Sequence, residues 1–169
     1  YNGATGNMEF HLNWPGGATE SMIFYLTNNE RMRISPQGYV TKPEHPYFNC
    51  IVTPTAGSPA IHSFGTVLTN NGGHYNNSNG RFTAPIAGKY LITARMLTNS
   101  STQSYTIYLI RRNGTSLGYI GHNHSDYWLM ESGTFVMNLN ANDYIDCYLQ
   151  QHSGHGGYGY ASFSGFLLG

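Results

Sequence analysis

From Lys89 onward the chain alternates. Tyr90, Ile92, Ala94 and Met96 fall on one side of an extended backbone, and Leu91, Thr93, Arg95 and Leu97 fall on the other. That period of two predicts a strand. A polar Asn99-Ser100-Ser101-Thr102-Gln103 turn comes next, after which Tyr105, Ile107 and Leu109 alternate again. Asn113-Gly114 then predicts a two-residue hairpin, because both central residues of a type I′ turn need positive φ. Further strands are expected around 134–140, 144–150 and 160–168. Near the start, 21–26 and 30–34 are strand-like runs around Thr27-Asn28-Asn29, a hairpin too short to bury a core by itself. Such a segment needs a partner surface, either in the downstream part of the chain or in copies of itself. The stretch Lys42-Pro43-Glu44-His45-Pro46 cannot continue a sheet ladder. It divides the chain into a β-rich stem with its linker, 1–45, and a head, 46–169.

Composition narrows the class. The 21 Gly and 17 Asn among 169 residues recur as turn residues do, leaving helices little room. Many short strands at regular spacing make the fold all-β, a sandwich or barrel. Charged residues are 9% of the total and the formal net charge is zero, which excludes the basic face of a nucleic-acid binder. No apolar run approaches the roughly 20 residues of a membrane helix. Tyr1 is not a starting Met and no basic-then-apolar leader stands there, which points to a mature fragment whose upstream part is missing. Cys50 and Cys147 could form one disulfide. Cys147 alternates with Ile145 and Leu149 on an inward-looking face, however, so plain buried thiols are the expectation.

One run is specific. Val67 to Asn70, Tyr75-Asn76, and Gly80-Arg81-Phe82-Thr83-Ala84-Pro85-Ile86-Ala87-Gly88-Lys89-Tyr90 resemble the globular head of the complement C-one-q family, which carries V-x-x-N, a Tyr-Asn pair, G-x-F and P-x-x-G-x-Y in this order. Gly133-Thr134-Phe135, Asn142-Asp143-Tyr144-Ile145 and Ser162-Phe163-Ser164-Gly165-Phe166-Leu167-Leu168 look like the last strands of that head. The resemblance covers 46–169. It implies a ten-stranded jelly roll of the complement and tumour-necrosis-factor type that associates as a trimer, with its C-terminal strand central in the inner sheet. Phe82, Pro85, Gly88, Tyr90, Phe163, Phe166 and Leu168 are then expected to shape turns and fill the core.

A second resemblance lies upstream. The run from Phe24 to Val40, with Glu30-Arg31-Met32-Arg33-Ile34 at its centre, is similar to a short motif of tail fibres and other structural proteins of tailed bacteriophages, where it precedes tip domains. Glu30 beside Arg31 and Arg33 can form inter-strand or inter-chain ion pairs while Met32 and Ile34 point the other way, into a trimer stem.

Candidate chemistry favours recognition over catalysis. Gly114-Thr115-Ser116-Leu117-Gly118 has the G-x-S-x-G spacing of a nucleophile elbow, but that motif works at a strand-to-helix turn, and here a hairpin is expected. Glycoside hydrolysis needs two carboxylates about 5–10 Å apart; Asp143 opens a turn, Asp146 is expected to face outward beside Tyr144 and Tyr148, and no pair stands out. His122 and His124 share one face of a strand or loop. Three chains around a threefold axis could offer six imidazole nitrogens to a transition metal, while the alternative is a solvent-facing loop. His152, His155, Tyr158 and Tyr160 lie in a Gly-rich stretch. Such a stretch suits either an adaptable recognition loop, whose rings stack on sugar faces, or a flexible connection between the final strands. Tyr119, Tyr127 and Trp128 flank the His pair as a second aromatic patch.

Taken together, these residues read as a non-enzymatic, homotrimeric virion tip, extracellular, at the end of an upstream fibre shaft. Its receptor would be a bacterial surface glycan or protein, bound through His152, His155, Tyr158, Tyr160, Tyr119, Tyr127 and Trp128. The one cofactor suggested is a transition metal on the trimer axis, and neither nucleic acid nor membrane insertion is expected. Two alternatives remain open: a trimer-registering cap or decoration domain without receptor binding, and a secreted complement-type lectin or cytokine-like head.

Overall fold

The computed structural model describes residues 9–12, 21–52, 60–99, 106–123, 128–152 and 161–169, and every regular element among them is a strand. The chain divides into two units, Tyr1–His45 and Pro46–Gly169.

In the first unit, β1 (Glu9–Leu12), β2 (Met22–Leu26), β3 (Asn29–Ile34) and β4 (Val40–Thr41) form one antiparallel sheet in sequential order. Thr27 and Asn28 join β2 to β3 with φ of 49° and 61°, the conformation a tight hairpin requires. The expected two-strand hairpin is thus flanked on both sides, by β1 pairing β2 and by β4 pairing β3. Register sorts the side chains cleanly. Met22, Ile34 and Val40 occupy one cross-strand row, and Phe24 and Met32 occupy the next row on that face. The other face carries Ile23, Arg33 and Thr41, then Tyr25 and Glu30. A register shift opposite Phe24/Tyr25 makes Arg31 an extra residue in β3. That bulge returns Glu30 to the face of Arg33, and the two close a bidentate pair, Nη2 to Oε2 at 2.6 Å and Nε to Oε1 at 3.0 Å. The hydrogen bonds from Arg33 hold the Glu30 carboxyl below its ordinary range. The ion pair therefore forms within one strand, not between strands.

The second unit contains β5 (Tyr47–Val52), β6 (Ala60–Ile61), β7 (Thr66–Asn71), β8 (Tyr75–Asn76), β9 (Arg81–Thr83), β10 (Gly88–Asn99), β11 (Thr106–Arg112), β12 (Thr115–Asn123), β13 (Trp128–Leu139), β14 (Tyr144–His152) and β15 (Ala161–Leu167). A five-stranded sheet in the order β13-β10-β15-β5-β7 faces a sheet in the order β12-β11-β14-β9-β8, with β6 paired to β14. This is a jelly-roll sandwich. It has eleven strands among the described residues where ten were expected, the surplus lying in two- and three-residue pieces. β13 also begins earlier than foreseen, at Trp128, because pairing with the whole length of β10 overrides the turn-like Glu131-Ser132-Gly133.

The core between the sheets is aromatic. Phe48, Phe64, Phe82, Tyr90 and Phe163 are buried with Ile92, Ile110 and Ile145. Phe48 stacks on Phe82 at 4.6 Å and meets Phe163 edge-on at 4.8 Å. Buried hydroxyls are partnered: Tyr90 donates to the Ile86 carbonyl at 2.9 Å, and the Phe64 N–H donates to the Tyr75 oxygen at 2.9 Å. Cys50 and Cys147 are both free, buried thiols, and burial pushes Cys50 up to about 12.

Strand β15 is the middle of its sheet, and two expectations about it are corrected. Ala161, Phe163, Gly165 and Leu167 point inward, so Phe166 and Leu168, on the opposite parity, are exposed and not core. Gly165 is required by the packing. A Cβ there would lie 2.9 Å from Phe48 Cε1 and 3.0 Å from the Leu91 carbonyl oxygen.

Candidate functional site

The outer face of the β12-β11-β14-β9-β8 sheet gathers the described residues suited to recognition. In one cross-strand row stand Arg81, Asp146, Arg111 and Ser116. In the next stand Ile61, Tyr148, Leu109 and Tyr119. Tyr119 is 65% exposed, whereas Leu109 between the two tyrosines is 7% exposed. A ring open to solvent beside a covered apolar floor is a platform on which a flat ligand face can stack.

The first row is an ionic layer. Asp146 accepts from Arg111 Nε at 2.7 Å and Nη2 at 3.1 Å, and Arg81 Nε lies 3.7 Å from its second oxygen. Each guanidinium also covers a ring: Arg111 lies 3.7 Å from the centre of Tyr148, and Arg81 4.2 Å from that of Tyr144. Asp146 was expected to face outward beside Tyr144 and Tyr148. It does leave the core side of β14, but it is fully buried, because two arginines from neighbouring strands close over it. With no exposed surface it cannot protonate a leaving group or attack a sugar.

The other carboxylate of this region is also engaged. Asp143 accepts from the Asn113 amide at 2.6 Å and the Asn140 N–H at 2.8 Å, and these bonds, with Asn113 first, hold it below its ordinary range. Asn113 in turn accepts from the Tyr144 N–H at 2.9 Å, and Asn113 and Gly114 have φ of 50° and 81°. Asn113-Gly114 is therefore the turn of a hairpin between β11 and β12, Thr115 to Gly118 lie in β12, and the exposed Ser116 sits opposite Arg111 in the ladder. A nucleophile elbow needs a helix at that point.

The sequence-predicted residues fall into two groups, those within the described strands and those outside them. Tyr119 lies on the outer face with Tyr148. The backbone of His122 pairs with Ile107, which in turn pairs with Gln151, one row beyond Tyr119 on the same sheet. The backbone of His152 pairs with Thr106, and that of Trp128 with Asn99. His124, Tyr127, His155, Tyr158 and Tyr160 lie outside the described residues. Among the described residues, no group of three or more His, Cys, Asp or Glu converges to hold a metal.

Register also shows where the strand ends go. β10 ends at Asn99 opposite the start of β13, and β5 ends at Val52 opposite the start of β15. Thr106, opening β11, lies opposite both Asn123 and His152, which end β12 and β14. The strands flanking 124–127 and 153–160 thus all terminate at the same end of the sandwich.

Sequence reasoning missed the Arg81–Asp146–Arg111 layer and the part Tyr148 plays beside Tyr119. Period-two spacing of Tyr144, Asp146 and Tyr148 was the available signal; what it lacked was the cross-strand register that brings Arg81 and Arg111 to them.

Comparison with known proteins agrees on the architecture. Residues 48–168 match the family model described as the C1q domain. The globular domain of zebrafish complement 1qA protein superposes with a TM-score of 0.58 at 23% identity, over 75% of this chain and 98% of that one. Murine APRIL superposes with TM-scores of 0.54 (structure at pH 5.0, 11% identity) and 0.55 (pH 8.0, 13% identity), over 73% of this chain and 99% of that one.

Proposed function

Because the chain belongs to the C1q-domain family, we propose that it is a homotrimeric, non-enzymatic head that binds a bacterial surface receptor, a polysaccharide in the first instance, at the tip of a phage tail fibre. The observation that carries the binding role is the exposed ring of Tyr119, set beside Leu109 in one outward row with Tyr148, whose ring the Arg111 guanidinium covers. Rings give contact area at low entropic cost, and adjacent donors fix hydroxyl groups. The Gly-, His- and Tyr-rich stretches whose flanking strands end together at one end of the sandwich extend the same chemistry.

The trimer has its own support. On the outside of the other sheet, Val136, Leu91, Phe166 and Tyr47 fall in one cross-strand row. Val136 is 58% exposed and Phe166 41%. An apolar row across four strands is surface that association covers. Three linked sites on one rigid head also raise avidity without any new contact. The virion setting is supported by the stem motif around Glu30-Arg31-Met32-Arg33-Ile34.

Binding of labelled full chain to an array of bacterial and animal glycans tests this reading. The expected result is a bacterial glycan bound by the wild type and bound at least about tenfold more weakly by Tyr119→Ala, a loss of about 1.4 kcal/mol. A triple variant with Ala at His155, Tyr158 and Tyr160 reports whether that stretch shares the site. Binding confined to animal glycans would select the secreted complement-type reading, which the zebrafish relative favours. No glycan at all, or one bound equally by every variant, would contradict the proposed site and favour the trimer-capping role.

A further inference from the structure

The ionic layer on the outer sheet face holds two guanidiniums and one carboxylate. Arg111 engages both oxygens of Asp146 by itself, at 2.7 Å and 3.1 Å. Arg81 Nε is left at 3.7 Å, beyond hydrogen-bond reach, and it has no acceptor among the described residues. One positive charge of the layer is therefore not neutralised within it. The Arg81 side chain is nevertheless held in place. Its guanidinium rests 4.2 Å from the centre of the Tyr144 ring, and 34% of the side chain stays exposed.

A second donor stands next to it. Asn76 on β8 lies directly opposite Arg81 and is exposed. Its Oδ1 accepts from the Ser78 N–H at 2.9 Å and from the Ser78 hydroxyl at 2.7 Å. The carbonyl end of that amide is thus engaged by its own turn, which leaves the NH2 end as the donor in the row of Arg81.

We propose that Arg81, with Asn76 beside it, is an anion-binding subsite, so that the receptor glycan is acidic and carries a carboxylate or a phosphate. The inference rests on the glycan reading of the Tyr119 face. A guanidinium fixed on a ring presents its terminal nitrogens as a fork that matches either oxyanion, with little rotamer freedom left to lose. Arg81 and Tyr119 are three strands and one row apart, about 16 Å at ordinary strand spacing. The acidic group and the ring-stacked unit accordingly belong to different sugars of one polymer.

Paired glycans test this on the full chain. Uronic-acid polysaccharides are arrayed before and after reduction of the carboxyl to a primary alcohol, and phosphomonoester-bearing oligosaccharides before and after phosphatase. The wild type is expected to bind at least one acidic form at least about tenfold more tightly than its neutral partner, and the pair that shows this identifies the anion. Arg81→Gln is expected to abolish the preference and Arg81→Lys, which keeps the charge without the fork, to lose most of it. Lys89→Gln removes the same charge from an exposed position on the other sheet and is expected to keep the preference. Asn76→Ala, outside the ionic layer, serves if Arg81→Gln folds poorly, and is expected to cut the preference at least about threefold. A preference that survives in both Arg81→Gln and Asn76→Ala, or that falls equally in Lys89→Gln, would overturn the subsite. Equal binding of acidic and neutral forms that still depends on Tyr119 removes the anion alone, whereas no binding to any glycan removes the receptor reading as well.

Discussion

Asp146→Ala is expected to destabilise the second unit by about 3–5 kcal/mol, read as a lowered urea midpoint at unchanged slope. The carboxylate has no exposed surface and holds Arg111 through two hydrogen bonds, with Arg81 on its other side. Deleting it leaves two guanidiniums facing each other without their shared counter-ion, one of them, Arg111, at 15% side-chain exposure. The cost comes from that stranded charge more than from the lost pair. Replacing the layer as a whole should therefore be much milder than breaking it: Asp146→Leu combined with Arg111→Met is expected to recover most of the loss, since a buried ion pair and a well-packed apolar pair are often close in stability. Equal losses in the single and the double variant would contradict this account of the layer.

Acid should cost nearly as much through a different residue. His62 is 1% exposed, lies edge-on to Phe64 at 5.1 Å and to Tyr108 at 5.7 Å, and neither ring nitrogen has a hydrogen-bond partner among the described residues. Its backbone N–H donates to the Cys147 carbonyl at 2.8 Å. Burial lowers the pKa of the ring from the ordinary 6.5 to about 4. Between those two values the unfolded chain holds a proton that the folded chain does not, so stability falls as pH falls. Over the full window the loss is about 3 kcal/mol. Urea midpoints measured from pH 7 down to pH 4 check it. His62→Leu, which keeps the site apolar, is expected to flatten most of the decline, and an unchanged decline in that variant would assign the acid sensitivity to other groups.

These two residues also show what sequence could and could not disclose. Asn113-Gly114 was legible because its turn needs positive φ at consecutive positions, and few residues supply that. Strand β10 was legible because Tyr90 to Leu97 alternate without interruption. The parity of β15 was the harder problem: Phe163 and Phe166 are three apart and cannot share a face of a strand, so treating both as core put Phe166 and Leu168 on the wrong side. Asp146 was placed on the correct face of β14, yet its burial depends on Arg111 and Arg81, which are distant in sequence and brought alongside only by the sheet order. His62 sits beyond a two-residue strand with no periodicity to mark it, and the sheet of the first unit gains β1 and β4, both too short to signal themselves.

The candidate site divides along the same line. Tyr119 could be named from sequence because an aromatic beside a His-containing stretch is conspicuous. Tyr148, Leu109 and the arginines that frame it could not, since each is unremarkable until register aligns them.

The proposed homotrimer would cover the apolar row of Val136, Leu91, Phe166 and Tyr47 and link three receptor sites on one head. Light scattering of the full chain in dilute solution tests that most directly. A mass of about 56 kDa, three times 18.7 kDa, is the predicted result, and a particle of 18.7 kDa at micromolar concentration would contradict it.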